Sequence, residues 1–425
     1  MRSDAYSLKN NRHAAMLFFP VLLLFFGYLF SRTYIPAWPG DFQAYLGAGC
    51  ALAEKRNLYD EDTAMQMLSR YGLENPEPLP FIYSPAFAIP FSAVRYLGIS
   101  TVRRIWFLII HVSFWAGLLL LFLRNGSKRK TIILLLCTGI PLIFIGPFRA
   151  SVYWGQATAP VFLLLSVALY FHRRSSAEAV SFSLLFFIKP ALMLPAVTIG
   201  RKKLIILLAA VTAILVCSVL FTGAGPWEDY LNSLRNTSHW DFSMAGNRSL
   251  LANISRAVNS ASAGYIREAR GIRQERIARA ERIRTVLNIS FAGTLLAFLS
   301  VLIRTAGTQN VKAVLKSSLF PDLLTWLIPL VSPLAYDHYA LFLLPLLISA
   351  MHHKRSRLLI PALSAFIIWS FVPTLDETAF SKTLCTLMEF SRPAALMTVS
   401  ICAVKQMVRE QFYLSSKTAV CSCGQ

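Results

Sequence analysis

Apolar and polar positions alternate along this chain block by block rather than residue by residue. Apolar runs cover Ala14 to Phe30, Ile105 to Leu123, Thr131 to Gly146, Thr158 to Phe171, Leu204 to Thr222, Val286 to Ile303, Ser317 to Ala335, Tyr339 to Met351, Leu358 to Thr374 and Ser391 to Val404. A helix rises ~1.5 Å per residue and a hydrocarbon core is ~30 Å thick, so these runs predict ten membrane crossings. The first run follows Arg2, Lys9 and Arg12 as the core of a signal peptide would. It is longer than a signal core of roughly 7 to 15 residues, and the exit Phe30-Ser-Arg-Thr-Tyr34 offers no small-x-small cleavage site. A retained first helix is the expectation.

The block Val180 to Gly200 differs, because Lys189-Pro190 breaks its centre and Arg201, Lys202 and Lys203 close it. If it crossed once, every later loop would invert. A turn back at Lys189-Pro190 instead leaves the short basic clusters at 128–130, 173–174, 201–203 and 354–357 on one face, the cytoplasmic one, with both termini. The expected fold is an all-α polytopic membrane protein, a single domain over 1–425, with about ten transmembrane helices plus a re-entrant hairpin at 180–200. Broken backbone at membrane depth is stable only where it lines a protein cavity, so the hairpin points toward a site.

Two long loops, 31–104 and 223–285, then lie on the outer face. Within the second, Ile266, Ala269, Ile272, Ile277, Ala280 and Ile283 share a helical face and arginines fill the other. That pattern over Tyr265 to Arg284 predicts a basic amphipathic helix lying along the lipid headgroups, or a solvated helix packed on the neighbouring loop.

Composition agrees. Hydrophobic residues make up 55% and charged ones 15%, with a mean hydropathy of +0.53, which excludes a soluble globular enzyme, a disordered chain and a disulfide scaffold. The 42 Lys and Arg outnumber the 21 Asp and Glu, but they sit in short loops and no basic stretch is interleaved with stacking aromatics, so no nucleic acid is expected. The seven cysteines show neither a disulfide framework nor zinc spacing.

Chemistry-bearing residues gather in the outer connections. Asp41, some ten residues past the first helix, could take a proton from a substrate hydroxyl or cap a helix Phe42 to Lys55. Asp60-Glu61-Asp62 reads either as a divalent-metal motif or as the acidic start of a helix Glu61 to Arg70. Tyr83 lies near the boundary, ahead of an apolar stretch Ala86 to Leu97 too short to span. Arg149 and Gln156 flank Tyr153 and Trp154 at the mouth of a helix, placed for a phosphate or a sugar hydroxyl. Lys189 stands out as the Lys or Arg deep in an apolar block, either functional or snorkelling, with Asp322 as a rival partner. His338, beside Asp337, is a base with an unperturbed pKa of ~6.5 or a solvated loop histidine.

Asp41-Phe-Gln-Ala-Tyr45 with Asn57-Leu-Tyr-Asp60, Tyr83-Ser-Pro85, Gly155-Gln156, Lys189-Pro190, Asn247-Arg-Ser-Leu250, and Ser332-Pro333 with His338-Tyr339 before Leu343-Leu-Pro345 follow one another in this order. Together they resemble glycosyltransferase family 87, membrane mannosyltransferase-like enzymes of the GT-C class. Thr158, Arg248 and Ala335-Tyr336 depart from the residues usual there. The resemblance implies an inverting transfer of a hexose, mannose by preference, from a polyprenyl-phosphate sugar donor to a lipid or glycan acceptor. It implies a multi-pass protein among the lipids of a bacterial plasma membrane, with its site on the periplasmic or outer face.

In that reading Asp41 and His338 are the candidate bases. Lys189, Arg149 and Arg248 face the donor phosphate, and Tyr83, Gln156, Asn247 and Asp337 hold substrate. No cofactor is expected, a metal at Asp60 and Asp62 being the weaker alternative. A carrier or flippase for a lipid-linked glycan is the alternative from another class; it should carry repeat symmetry between its halves, and no internal repeat is found.

Overall fold

In the computed structural model of the protein the described residues are 40–76, 79–125, 146–172, 174–235, 249–259, 270–307, 310–332, 337–352, 356–371 and 382–422. The expected span Ala14 to Phe30 and nearly all of Thr131 to Gly146 lie outside them. Every regular element among them is a helix, and no strand forms.

The described chain begins with α1, Gly40–Ala53, and α2, Glu61–Arg70. Asp60 caps α2: its carboxylate accepts from the Thr63 amide, one of the first-turn donors that a helix leaves without an internal partner. The structure thus gives Asp60 the capping role. Tyr83-Ser84 leads into Pro85–Ala88, the 3-10 turn Ile89–Ala93 and Val94–Leu97, broken up because Pro90 has no amide to donate. α1 lies so close to this turn that a Cβ on Gly49 would stand 2.5 Å from the Phe91 backbone, which only glycine avoids.

Next come α3, Ile99–Asn125; α4, Gly146–Tyr153; α5, Thr158–Tyr170; and α6, Ala177–Ile188. The chain breaks at Lys189, runs through the 3-10 segment Pro190–Thr198 and enters α7, Arg201–Thr222. Two contacts give the direction of α7. Lys203 Nζ donates to Glu178 Oε2 at 2.7 Å, and the Ser183 hydroxyl donates to the Leu207 carbonyl at 3.2 Å. Successive contacts advance together along both helices, so α6 and α7 run parallel from a shared end, and Pro190–Thr198 is the segment that brings the chain back. Glu178 is buried and pairs with His172 as well as Lys203.

The remainder comprises α8, Gly225–Arg235; α9, Leu250–Asn259; α10, Arg270–Ala306; a short helix Val311–Lys316; α11, Phe320–Val331; a 3-10 turn Asp337–Leu343; α12, Leu344–His352; α13, Ser356–Phe371; and α14, Lys382–Ser422. α10 runs without interruption from the basic segment into the apolar one, for no Gly or Pro separates Ile272 from Gly293. The part of the expected surface helix from Arg270 onward is therefore collinear with the segment that follows it. The stretch Tyr339 to Ala350 is buried throughout, wrapped by other helices rather than turned outward.

Among the described residues Ile99–Asn125, Arg201–Thr222 and Asn288–Ala306 are long and apolar enough to cross a membrane, and five further apolar helices are shorter. α7 and the apolar part of α10 leave Ile205, Leu208, Leu220, Ile289 and Leu296 open on their outer sides. An apolar surface of this extent is one that lipid covers. Inside, Arg124 pairs with the fully buried Asp322 and reaches the Ser318 carbonyl, tying α3 to α11. Asp322 is thus the partner of Arg124 rather than the rival partner of Lys189. Arg392 in α14 is also buried, at 1% exposure, so Lys189 is not alone as a cation within the helical body.

Candidate active site

α1 begins at Gly40, ahead of the expected Phe42, and Asp41 therefore belongs to its first turn instead of capping it. The Phe42 amide, another first-turn donor, is satisfied by the Trp154 carbonyl at 3.2 Å. On the other side Trp106 of α3 donates its indole N–H to the Gly155 carbonyl at 2.8 Å. Gly155 has a φ of 65°, the left-handed region where a Cβ is costly. The α4 to α5 connection is clamped in this way between α1 and α3, and it presents Gln156.

One helical turn beyond Asp41, and so on the same face, stands Tyr45. Its hydroxyl lies 3.1 Å from that of Tyr83, donates to Gln156 Oε1 at 3.4 Å, and accepts from the Ala157 amide at 3.4 Å. The two tyrosine rings meet edge to face at 5.2 Å, and Tyr45, Tyr83 and Gln156 are all buried. Tyr59 holds this arrangement from behind by donating to the Tyr83 carbonyl at 2.9 Å.

Ser84 continues the same strand of chain and donates to the Phe187 carbonyl at 2.6 Å, near the point where α6 ends. Lys189 follows with φ −144° and ψ 89°, an extended residue between two helices. Its ammonium stands over the Tyr339 ring, 4.7 Å from the centroid, a cation–π contact. Tyr339 in turn receives a hydrogen bond from the Ser332 hydroxyl at 3.4 Å.

Lys189 is also close enough to act on the charge of Asp41. Burial pushes the Asp41 carboxyl from the usual 3.8 up to about 7, against the opposing pull of the Lys189 ammonium. A carboxyl that titrates near neutrality is matched to accepting a proton from an alcohol.

Four expected site residues, Asp41, Tyr83, Gln156 and Lys189, come together from four separate segments. Arg149 is exposed on α4, seven residues before Gln156. Asn247 and Arg248 lie outside the described residues. The backbone of Asp337 and His338 belongs to the 3-10 turn Asp337–Leu343, next to Tyr339; their side chains lie outside the described residues. Sequence reasoning missed Tyr45, Tyr59, Ser84 and Tyr339. The four-residue spacing from Asp41 could have pointed to Tyr45, and Tyr339 adjoins His338. Ser84 stands within the Tyr83-Ser-Pro85 motif, but its partner, the Phe187 carbonyl, is far away in the chain.

A helical body with open apolar faces, gathering a carboxylate, an ammonium and several phenols at a broken helix, fits a membrane protein with a buried polar cluster. The sequence model of glycosyltransferase family 87 matches residues 81–333, more than half of the chain, and the chain belongs to that family. It is a membrane glycosyltransferase. No curated protein and no solved structure matches it. The matched range takes in Tyr83, Gln156 and Lys189, whereas Asp41 precedes it and His338 follows it.

Proposed function

We propose that the protein is a multi-pass, inverting hexosyltransferase of the GT-C class that moves mannose from a polyprenyl monophosphate to a lipid or glycan acceptor. The reaction belongs at the periplasmic or outer face of a bacterial plasma membrane. The parallel course of α6 and α7 supports a re-entrant hairpin around Lys189 rather than a crossing.

In this reading the acceptor oxygen attacks the anomeric carbon while its proton passes to the Asp41 carboxylate. The bond from that carbon to the phosphate oxygen breaks, and the electron pair leaves with the lipid phosphate. Such a leaving group is a stable anion and needs no acid, so cationic side chains suffice to stabilise it. Lys189 has that role, with Arg149 and Arg248 as further cations. His338 is the second candidate base, and Tyr83, Gln156, Asn247 and Asp337 contact sugar or acceptor hydroxyls.

The observation that carries the reading is the convergence of Asp41, Tyr83, Gln156 and Lys189 from four separate segments in a member of family 87, with the Asp41 carboxyl pushed toward neutrality by burial and pulled down by Lys189. The test is incubation of the purified protein in lipid with radiolabelled polyprenyl-phosphate hexoses and native membrane lipids. Label should move from polyprenyl-phosphate mannose to a lipid-extractable or glycan product, with the anomeric configuration inverted. Absence of transfer from every polyprenyl-phosphate sugar would reject the donor class.

A further inference from the structure

Beside the polar cluster the two outer loops meet in a strip of aromatic side chains. Tyr59, whose hydroxyl holds the Tyr83 carbonyl, lies 6.0 Å from the ring of Tyr230. Tyr230 meets Trp227 edge to face at 5.9 Å, and Trp227 meets Phe187 in the same way at 6.0 Å. The strip therefore starts at Tyr83 and ends two residues before Lys189, so both of its ends touch the cluster.

Two polar features set it apart from plain packing. The Trp227 indole nitrogen is buried and has no hydrogen-bond partner among the described residues. A buried indole N–H ordinarily finds an acceptor, so this one is available to a hydroxyl or carbonyl that binds beside it. Asp229 is the second feature. The Tyr59 phenol is held well above its ordinary range by burial first, then by Tyr230 and by the carboxylate of Asp229, which adjoins Tyr230 on α8.

We propose that Tyr59, Trp227, Asp229 and Tyr230 form a subsite for a pyranose ring of the acceptor. A pyranose offers an apolar C–H face to aromatic rings and a belt of hydroxyls that donate to a carboxylate and accept from an indole N–H. The strip has that combination. Its parent segments carry exposed polar residues, Asn57 on one side and Glu228 on the other, so the strip has a polar rim against which a hydroxylated ring can bind. The acceptor is accordingly a glycan or a glycosylated lipid rather than a bare lipid alcohol. Assignment to the acceptor rests on the transferase reading above; the sugar site itself does not.

The test has two arms, both on the full chain in lipid nanodiscs. In the first, saturation-transfer NMR is recorded with methyl α-mannobioside on the wild type, Trp227→Phe, Trp227→Ala and Asp229→Asn. The wild type should transfer saturation to the ring C–H protons. Trp227→Ala should abolish it, and Trp227→Phe, which keeps a ring and loses one hydrogen bond, should weaken binding about 5-fold.

In the second arm, acceptor and donor titrations of the transfer reaction should show the acceptor KM of Trp227→Phe raised about 5-fold with donor KM unchanged. No saturation of the disaccharide by the wild type, equal saturation by Trp227→Ala, or a change in donor KM alone would overturn the proposal. So would a Trp227→Phe protein that loses thermal stability while binding sugar normally, which is the behaviour of an aromatic anchor at the membrane interface. If Trp227-dependent sugar binding persists but no labelled hexose is ever transferred, the sugar site stands and the transferase reading falls.

Discussion

The Lys189 ammonium lies 4.7 Å from the centroid of the Tyr339 ring, so the break after α6 and the turn before α12 meet through a cation and an aromatic face. A ring face stabilises a cation without neutralising it. The ammonium therefore keeps its charge for a second partner, and Asp41, from a third segment, is within its electrostatic reach. An anionic phosphate entering this space would meet a cation already oriented.

Replacement of Asp41 by Asn should lower transfer at least about 100-fold, the scale of a lost general base. Expression and detergent stability should stay near wild type. Retention of near-normal turnover would pass the role of base to His338, for which His338→Ala is the matching measurement.

The pH profile should carry the signature of a carboxyl titrating near 7. Transfer requires the ionised form, so its rate should rise with pH through about 7. Stability should move the other way. The folded-state pKa is raised above the unfolded value of 3.8, so between about 4 and 7 the folded protein holds a proton that the unfolded chain has released. The stabilisation that proton brings is complete below 3.8 and is lost as pH rises through about 7. Thermal unfolding of Asp41→Asn across that range should lack this component.

Lys189→Met keeps the stem and removes the charge. Because the ammonium pulls the Asp41 carboxyl downward, its loss should move the rise in the rate profile to higher pH as well as weaken donor binding. Lys189→Arg should keep part of the activity. An unshifted profile together with a normal donor KM in Lys189→Met would show that the charge acts on neither group.

The ion pair of Arg124 with Asp322 should be structural. Arg124→Met removes an ion-pair partner from a fully buried carboxylate and should destabilise the protein by about 3–5 kcal/mol. The double replacement Arg124→Met with Asp322→Leu should recover much of that loss. Chemical unfolding in detergent of both variants measures the difference.

Cysteine-accessibility labelling checks the direction of the chain. Since α6 and α7 start together at the Glu178 and Lys203 contact, a cysteine at Lys202 should be labelled from the face opposite to one at Asp62. Labelling of both from the same face would reject a hairpin at Lys189.

Much of this protein is legible in sequence because its strongest signals are local. Apolar runs, basic clusters and the Lys189-Pro190 break act within a few turns of the chain, and lipid rewards them whatever lies elsewhere. Asp41, Tyr83, Gln156 and Lys189 could be singled out for the same reason, as polar groups in or beside apolar blocks. Other features depend on which segments meet. The capping role of Asp60, the continuity of α10 through Arg270 to Arg284, the pairing of Asp322 with Arg124 and the burial of Arg392 each turn on a neighbour the local sequence does not name.

The residue types and membrane nature of this protein were thus determined by its sequence, since hydrophobic length and charge are properties of single segments. Only the tertiary structure decided that Tyr45 and Tyr59 brace Tyr83, that Ser84 holds the end of α6, and that Lys189 faces both Tyr339 and Asp41. The physical reason is range: a hydrogen bond or a cation–π contact acts over a few ångströms, and folding brings within that distance residues that lie 24 to 150 positions apart in the chain.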